Sequence, residues 1–334
     1  MTKRLLLCGL AALLSAVGCA PRRDYRTVDG VMLGTRLHLI SDAPCSAQEI
    51  YAAAMRLDAE AKRSMSLFDE GSRLNRLNRN ETDSTDRHIR RNLLLADSIS
   101  RLSEGAYDVT VGPLVRAWGF AGTAAEKAPK IDSLLAFVGY GRLRLDGERL
   151  VKSDPRVQID LNSIAKGYSV DLLADLLEAA GAANYIAEIG GEVRCRGVNR
   201  QGRPWRIGVE SPFDGNQSDG ACIERRIALT EGAMATSGNY RRFYLDAAGR
   251  KIAHTIDPRT GRSRLSRLLS ATVVAPTCAE ADALGTMFMA LGDTAALRFA
   301  AAHPALPVYL IFAGEGEAYE EYLSPAMERL ILKD

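Results

Sequence analysis

The chain has 334 residues, 47% of them hydrophobic and 25% charged, with 43 basic against 41 acidic side chains. Those proportions belong to a globular protein and exclude a disordered, collagenous or polytopic membrane chain. A net charge of +2 supplies no electrostatic ground for a nucleic-acid partner, and the length admits either two domains or one large one.

The N-terminus is basic at Lys3-Arg4, apolar from Leu5 to Val17, and small at Gly18 before Cys19. This is the layout of a secretory signal, and the apolar run is shorter than the roughly 20 residues that span a bilayer. Ala16-Val17-Gly18-Cys19 resembles a bacterial lipobox with alanine where leucine is usual, which makes Cys19 the candidate lipidation site; an ordinary cleaved signal is the alternative. Residues 1–18 then form a lipoprotein signal, 19–30 a lipid-anchored tether, and 31–334 the functional domain. Several acyl chains on Cys19 would hold the protein stably at a membrane. Cys45, Cys195, Cys222 and Cys278 are far apart with no C-x-x-C, so neither a zinc site nor a redox motif is indicated. An oxidising compartment permits disulfides, and unpaired buried thiols are the simpler reading.

Val31 to Ile40 alternates as a first strand. Apolar residues recur at helical spacing from Ala47 to Met65 and from His88 to Leu102. Residues 156–191 read as a strand (VQIDL), an amphipathic helix from about Ser163 to Ala180, and a second strand (YIAEI). Short strands follow around 192–197, 205–210, 222–229, 241–246 and 250–256, then helices at 277–291 and 294–302 and a strand at Pro307–Phe312. With no repeat, long linker or charge run, the chain reads as one continuous α+β unit that could carry two lobes. G-x-G-x-x-G, G-x-x-x-x-G-K-[ST], H-E-x-x-H and G-x-S-x-G are all missing, which removes the common nucleotide, zinc-peptidase and serine-hydrolase readings.

Four stretches concentrate Gly, Asp, Thr and His. In the first, Gly105 to Phe120, Trp118 and Phe120 flank Gly119 and could wall a flat ring; two core aromatics are the other reading. The second, Ile159 to Tyr168, runs into a helix start whose free N–H groups favour phosphate, with Lys166 adding charge, unless Asn162 or Ser163 simply caps the helix. The third joins Thr236-Ser237-Gly238-Asn239-Tyr240 to His254-Thr255-Ile256-Asp257-Pro258-Arg259-Thr260-Gly261. His254 is one of only four histidines and a candidate catalytic group, although lone histidines are commonly structural. In the fourth, Asp282 and Thr286 are four apart on one helix face and offer hard oxygen ligands suited to magnesium.

Together these stretches resemble the ApbE family of FAD:protein FMN transferases over about residues 30–315. The resemblance rests on motifs in family order: Leu33-Gly34-Thr35, Ser66-Leu67-Phe68 with Ser72 to Asn78, Asp108 to Val115 with Trp118-Gly119-Phe120, Ala165 to Tyr168, Ile189-Gly190-Gly191, Ser237 to Tyr240, His254 to Gly261, and Ala281 to Thr286. It implies a T-fold-like α+β unit with two lobes around an FAD cleft. The implied activity moves the FMN half of FAD to a threonine hydroxyl through a phosphodiester bond, releasing AMP, with Mg2+ as cofactor. The implied acceptors carry a [Ser/Asp]-Gly-Ala-[Ser/Thr]-x-Thr-like motif, in subunits of the Na+-pumping NADH:quinone reductase or the Rnf complex. By the same resemblance Asp282, Thr286 and the carbonyls of Ala165 and Gly285 hold the metal. FAD meets Leu33, Phe68, Trp118, Gly119, Phe120, Asp160, Lys166 and Ile256, and His254 and Asp282 act in catalysis. Departures are Leu33 for methionine, Asn162-Ser163 for Gly-Gly, and Phe68 for Tyr or Trp. The implied location is the periplasmic side of a bacterial membrane. An FAD pyrophosphatase yielding FMN and AMP, and a non-catalytic FAD-binding lipoprotein, are the alternatives.

Overall fold

Val28, Met32, Leu37 and Leu39 are buried at alternating positions, the signature of strands with one face on a core. They lie on β1 (Arg26–Met32) and β2 (Thr35–Ser41), paired antiparallel from Arg26↔Ser41 to Met32↔Thr35. The computed structural model describes residues 24–120, 130–213, 222–240, 243–245, 249, 251–264, 266–315 and 318–333. Cys19 and the signal segment lie outside the described residues. The single strand expected over Val31–Ile40 is thus a hairpin, and Arg26 to Gly30 belong to its first arm rather than to a tether. Its two-residue turn has positive φ at both Leu33 (53°) and Gly34 (78°), the handedness that matches strand twist. A leucine in that conformation is uncommon, so the turn was not signalled.

Six more strands complete the sheet: β3 (Tyr185–Ile189), β4 (Glu192–Arg196), β5 (Glu231–Gly238), β6 (Leu268–Ala275), β7 (Val308–Ala313) and β8 (Tyr319–Leu323). They lie side by side in chain order, and every neighbouring pair is antiparallel. The expected strand–helix–strand unit is therefore incomplete. Val157 to Leu161, buried except at Gln158, joins no ladder. The side chain of Asn78 takes the place of a neighbouring strand there: Ile159 N donates to Asn78 Oδ1 at 2.7 Å, and Asn78 Nδ2 donates to the Ile159 carbonyl at 2.9 Å.

One face of the sheet carries α1 (Ala47–Met65), α2 (Arg87–Leu102), α3 (Ala165–Ala179), α4 (Cys278–Leu291) and α5 (Asp293–Ala302). α1 forms where expected because Ser46 and Glu49 make a reciprocal capping box and Ile50, Ala54, Ala61 and Met65 line one stripe. α4 differs in kind: every residue except Glu280 and Thr286 is buried, the pattern of a helix surrounded by protein on all sides. The opposite face is covered by a hairpin of Trp205–Glu210 and Ile223–Leu229, whose Trp205, Val209 and Ile227 pack on Val193, Cys195, Met234 and Tyr309. The fold is the expected α+β class, and the four described cysteines outside the signal are unpaired.

Candidate active site

A cleft opens between the helical layer and the sheet. Phe120, Asp160, Lys166, His254, Asp282 and Thr286 line it, with Ile256 beside them. Residues from 120 to 286 in the chain thus meet in one place. Each is set there by identifiable contacts.

The start of α3 carries no side-chain cap. Asn162 and Ser163 do not serve as one; Ser163 Oγ instead donates to the Tyr107 hydroxyl at 3.0 Å. Gly167 N donates to Asp282 Oδ2 at 3.0 Å, which fastens α3 to α4. A Cβ on Gly167 would strike the Cys278 carbonyl and come within 2.8 Å of Asp282 Cβ, so only glycine permits the two helices to approach this closely. On the other flank of α4, Gly285 packs so near β5 that an added Cβ would lie 2.9 Å from Ser237 Oγ. That approach brings Ser237 Oγ to 3.4 Å from Thr286 Oγ1.

Asp282 is a carboxylate in an otherwise apolar helix, a placement that costs several kcal/mol unless a partner compensates. Burial, then the Glu192 carboxylate nearby, push its pKa up to about 8, while Lys166 and the Gly167 N–H pull it down. Lys166 Nζ sits 2.7 Å from Glu192 Oε2. That oxygen makes no hydrogen bond of good geometry, so the attraction is one of charge. Burial works against the ammonium, yet Glu192 and Asp282 outweigh it and hold the Lys166 pKa above the ordinary lysine value. Burial raises Glu192 in turn.

His254 is braced through both chain neighbours. Ala253 N donates to Ser263 Oγ at 2.9 Å, and Thr255 Oγ1 donates to Asn239 Oδ1 at 2.7 Å. Its ring meets the edge of Phe120 at 6.3 Å, and Phe120 leans on Tyr244 at 5.5 Å. Just beyond, Asp257 is buried between Arg259 Nε at 3.0 Å and Arg264 Nη1 at 3.2 Å, fixing the turn that follows. Asp160 lies on the segment held by Asn78, and its Oδ1 accepts from Asn162 N at 2.8 Å.

Other expected contacts are not in the cleft lining. Gly119 has φ 82°, and the turn there separates the two aromatics expected to form one wall. Phe120 faces the cleft, whereas Trp118 lines a separate depression with Ile131 and Arg262 and donates through Nε1 to the Gly261 carbonyl at 2.8 Å. Leu33 sits in the β1–β2 turn, its N–H donating to Asp58 Oδ1 at 2.9 Å. Phe68 is 73% exposed on a loop whose carbonyls at 66, 67 and 69 all accept from Asn75 Nδ2. The Ala165 carbonyl accepts from Ser169 Oγ at 2.8 Å, and Gly285 is buried against β5.

Among the described residues no group of three or more His, Cys, Asp or Glu side chains could hold a metal. A cation in this cleft would rely on the Asp282 carboxylate, the Thr286 hydroxyl and main-chain carbonyls. Those are hard oxygen donors, suited to a magnesium-like ion, and a dication would relieve the unfavourable burial of the carboxylate. The donor set fits. Glu192 is the residue that sequence reasoning missed. Its strand reads E-V-R-C-R, which looks like charges alternating onto solvent; only the helical cover over that face buries it.

Residues 33–310 match the ApbE family. The FAD:protein FMN transferase of Haemophilus influenzae is 38% identical over 322 residues, spanning 90% of this chain and 90% of its own length. That of Vibrio cholerae is 35% identical over 341 residues, spanning 98% and 99%. Among solved structures, the flavin transferase ApbE from Vibrio cholerae aligns with a TM-score of 0.80 at 32% identity, over 92% of this chain and 99% of its own. The Thermotoga maritima ApbE protein aligns with a TM-score of 0.81 at 27% identity, over 93% and 100%.

Proposed function

This chain belongs to the ApbE family and is an FAD:protein FMN transferase; we propose that it moves the FMN half of FAD onto a threonine hydroxyl of its acceptor and releases AMP. The convergence of His254, Lys166, Asp282 and Thr286 in one cleft carries this reading. The threonine oxygen attacks the FMN-side phosphorus, a phosphodiester bond forms, and the pyrophosphate oxygen leaves with AMP. Two phosphates and a developing alkoxide make charge the main barrier.

His254, half-buried and braced on both sides, accepts the threonine proton, the role for which an imidazole is suited. Lys166, held by Glu192, faces the pyrophosphate. Phe120 and Ile256 supply apolar surface, and Asp160 accepts hydrogen bonds from the nucleotide. Mg2+, when bound by Asp282, Thr286 and the Ala165 and Gly285 carbonyls, would neutralise the pyrophosphate and stabilise the leaving AMP. Leu33, Phe68, Trp118 and Gly119 would contact FAD at the rim of the cleft. Acceptors carry a [Ser/Asp]-Gly-Ala-[Ser/Thr]-x-Thr-like motif on the Na+-pumping NADH:quinone reductase or an Rnf-type complex. Lipidation at Cys19 would keep the enzyme on the periplasmic side of a bacterial membrane, where such subunits are exposed.

The test incubates the mature chain, from about residue 20, with FAD, Mg2+ and an acceptor domain bearing the motif. Mass spectrometry then reads the acceptor. A gain of one FMN that disappears with EDTA and in Asp282→Ala supports the reading. AMP and free FMN without acceptor labelling would make the protein a pyrophosphatase, and unchanged FAD with a competent acceptor would make it a carrier.

A further inference from the structure

Asp171 is a buried carboxylate that the transfer chemistry does not use and that lies outside the cleft lining. It follows Gly167 by four residues on α3, so both share the face that meets α4. Its Oδ1 accepts from Cys278 N at 2.8 Å and its Oδ2 from Ala279 N at 2.9 Å, the first two N–H groups of α4. Arg194 reaches over from β4 and donates through Nη1 to the same Oδ1 at 2.9 Å. The local cap of α4, Thr277, reaches only Glu280 N, at 3.4 Å. The leading end of α4 is therefore held from a neighbouring helix in addition to its own, longer cap contact.

A helix is stiff over one turn, about 5.4 Å. Fixing its first two N–H groups fixes where Asp282 stands one turn on and Thr286 two turns on. The second fastening, from Gly167 N to Asp282 Oδ2, completes the register between α4 and the start of α3, where the Ala165 carbonyl lies. We propose that Asp171, anchored by Arg194, is a positioning residue that sets the oxygen donors of α4 for a divalent cation. It touches neither FAD nor the cation. This inference rests on the reading that Asp282 and Thr286 seat a cation, and its test separates the two.

An asparagine at 171 keeps the size but turns an N–H toward one of the backbone N–H groups and gives Arg194 no charge. Mn2+, a hard dication whose free EPR signal vanishes on binding, is titrated into the protein with FAD present and acceptor left out. Wild type, Asp171→Asn, Thr277→Ala and Asp282→Ala are compared, with thermal unfolding followed in parallel. Asp171→Asn is expected to weaken Mn2+ binding about tenfold, the scale of losing a group that orients metal ligands. Thr277→Ala, a cap loss alone, is expected to lower Tm and leave the metal constant within about twofold. If Asp171→Asn binds Mn2+ as wild type does and only its Tm falls, the positioning role is overturned and Asp171 is a helix cap. If Asp282→Ala binds Mn2+ as wild type does, the cation seat itself is overturned and the positioning role goes with it. Should Asp171→Asn not fold, Arg194→Gln is read in the same way, with an expected loss of about threefold and unchanged affinity as the contrary result.

Discussion

Along β4, Val193 and Cys195 point into the apolar layer beneath the Trp205–Leu229 hairpin, whereas Glu192 and Arg194 point to α3 and pair there with Lys166 and Asp171. One strand thus serves two regions with opposite requirements. The hairpin side is built by ordinary alternation, each apolar residue losing water against another. The helical side buries carboxylates and an ammonium, which is unfavourable unless each is held by a specific partner. Burial alone therefore does not mark a core here: on one face it stabilises, on the other it sets chemistry.

Substitutions on the two faces should therefore fail in different ways. The largest effect is expected for Asp282→Ala, with FMN transfer falling by about a thousandfold or more while the fold persists, since a cation's share of charge stabilisation is several kcal/mol. Initial rates of acceptor labelling measure it, and a loss below tenfold would place the cation elsewhere. Trp205→Ala on the other face removes a buried ring that also donates to the Arg196 carbonyl at 3.0 Å. It should cost about 3–5 kcal/mol of stability and leave kcat/KM of the folded fraction unchanged. Denaturant unfolding beside kinetics separates these, and a kinetic defect without a stability loss would erase the contrast.

His254→Ala should lower transfer about a hundredfold with FAD binding intact; near-normal transfer would remove it as the base. Glu192→Gln removes the charge that anchors Lys166 and should raise the KM for FAD about tenfold, because a largely buried ammonium loses its ion-pair partner, with little change in kcat. An unchanged KM would make the pair a structural strut. The smallest effect is in pH. Because Asp282 is raised to about 8, the metal-free fold binds a proton that the unfolded chain releases near pH 4, so its contribution to stability declines as pH rises toward 8. A divalent cation competes with that proton, so the Tm increase it produces should be larger at pH 8 than at pH 6. An equal increase at both would contradict the assignment.

Much of the helical layer was legible because its signals are local. Ser46 with Glu49 opens α1, the apolar stripe spans it, and α4 ends at Gly292 as its composition indicates. Asp282 and Thr286 stood out as polar residues on an apolar helix. Two interior strands were not legible. Glu231–Gly238 and Leu268–Ala275 are covered on both faces, so they lack alternation, and the small Ala, Thr, Ser and Gly of the first read as a loop. The β-branched run in the second was the available signal. Val157 to Leu161 misled for the reverse reason, since it has strand composition but joins no ladder and is held by the Asn78 side chain and a single Asp160 N to Val109 carbonyl bond. Glu192 and Asp171 depend on partners 26 and 107 residues away, as Lys166–Glu192 and Asp171–Cys278 show, which no short window can reveal.

The most direct measurement is an anomalous difference map from crystals of the mature chain grown with FAD and Mn2+. A single strong peak is expected within about 2.2 Å of the Asp282 carboxylate and the Thr286 hydroxyl, beside the FAD pyrophosphate. FAD density in the cleft with the peak elsewhere, or with no peak, would contradict this placement of the cation.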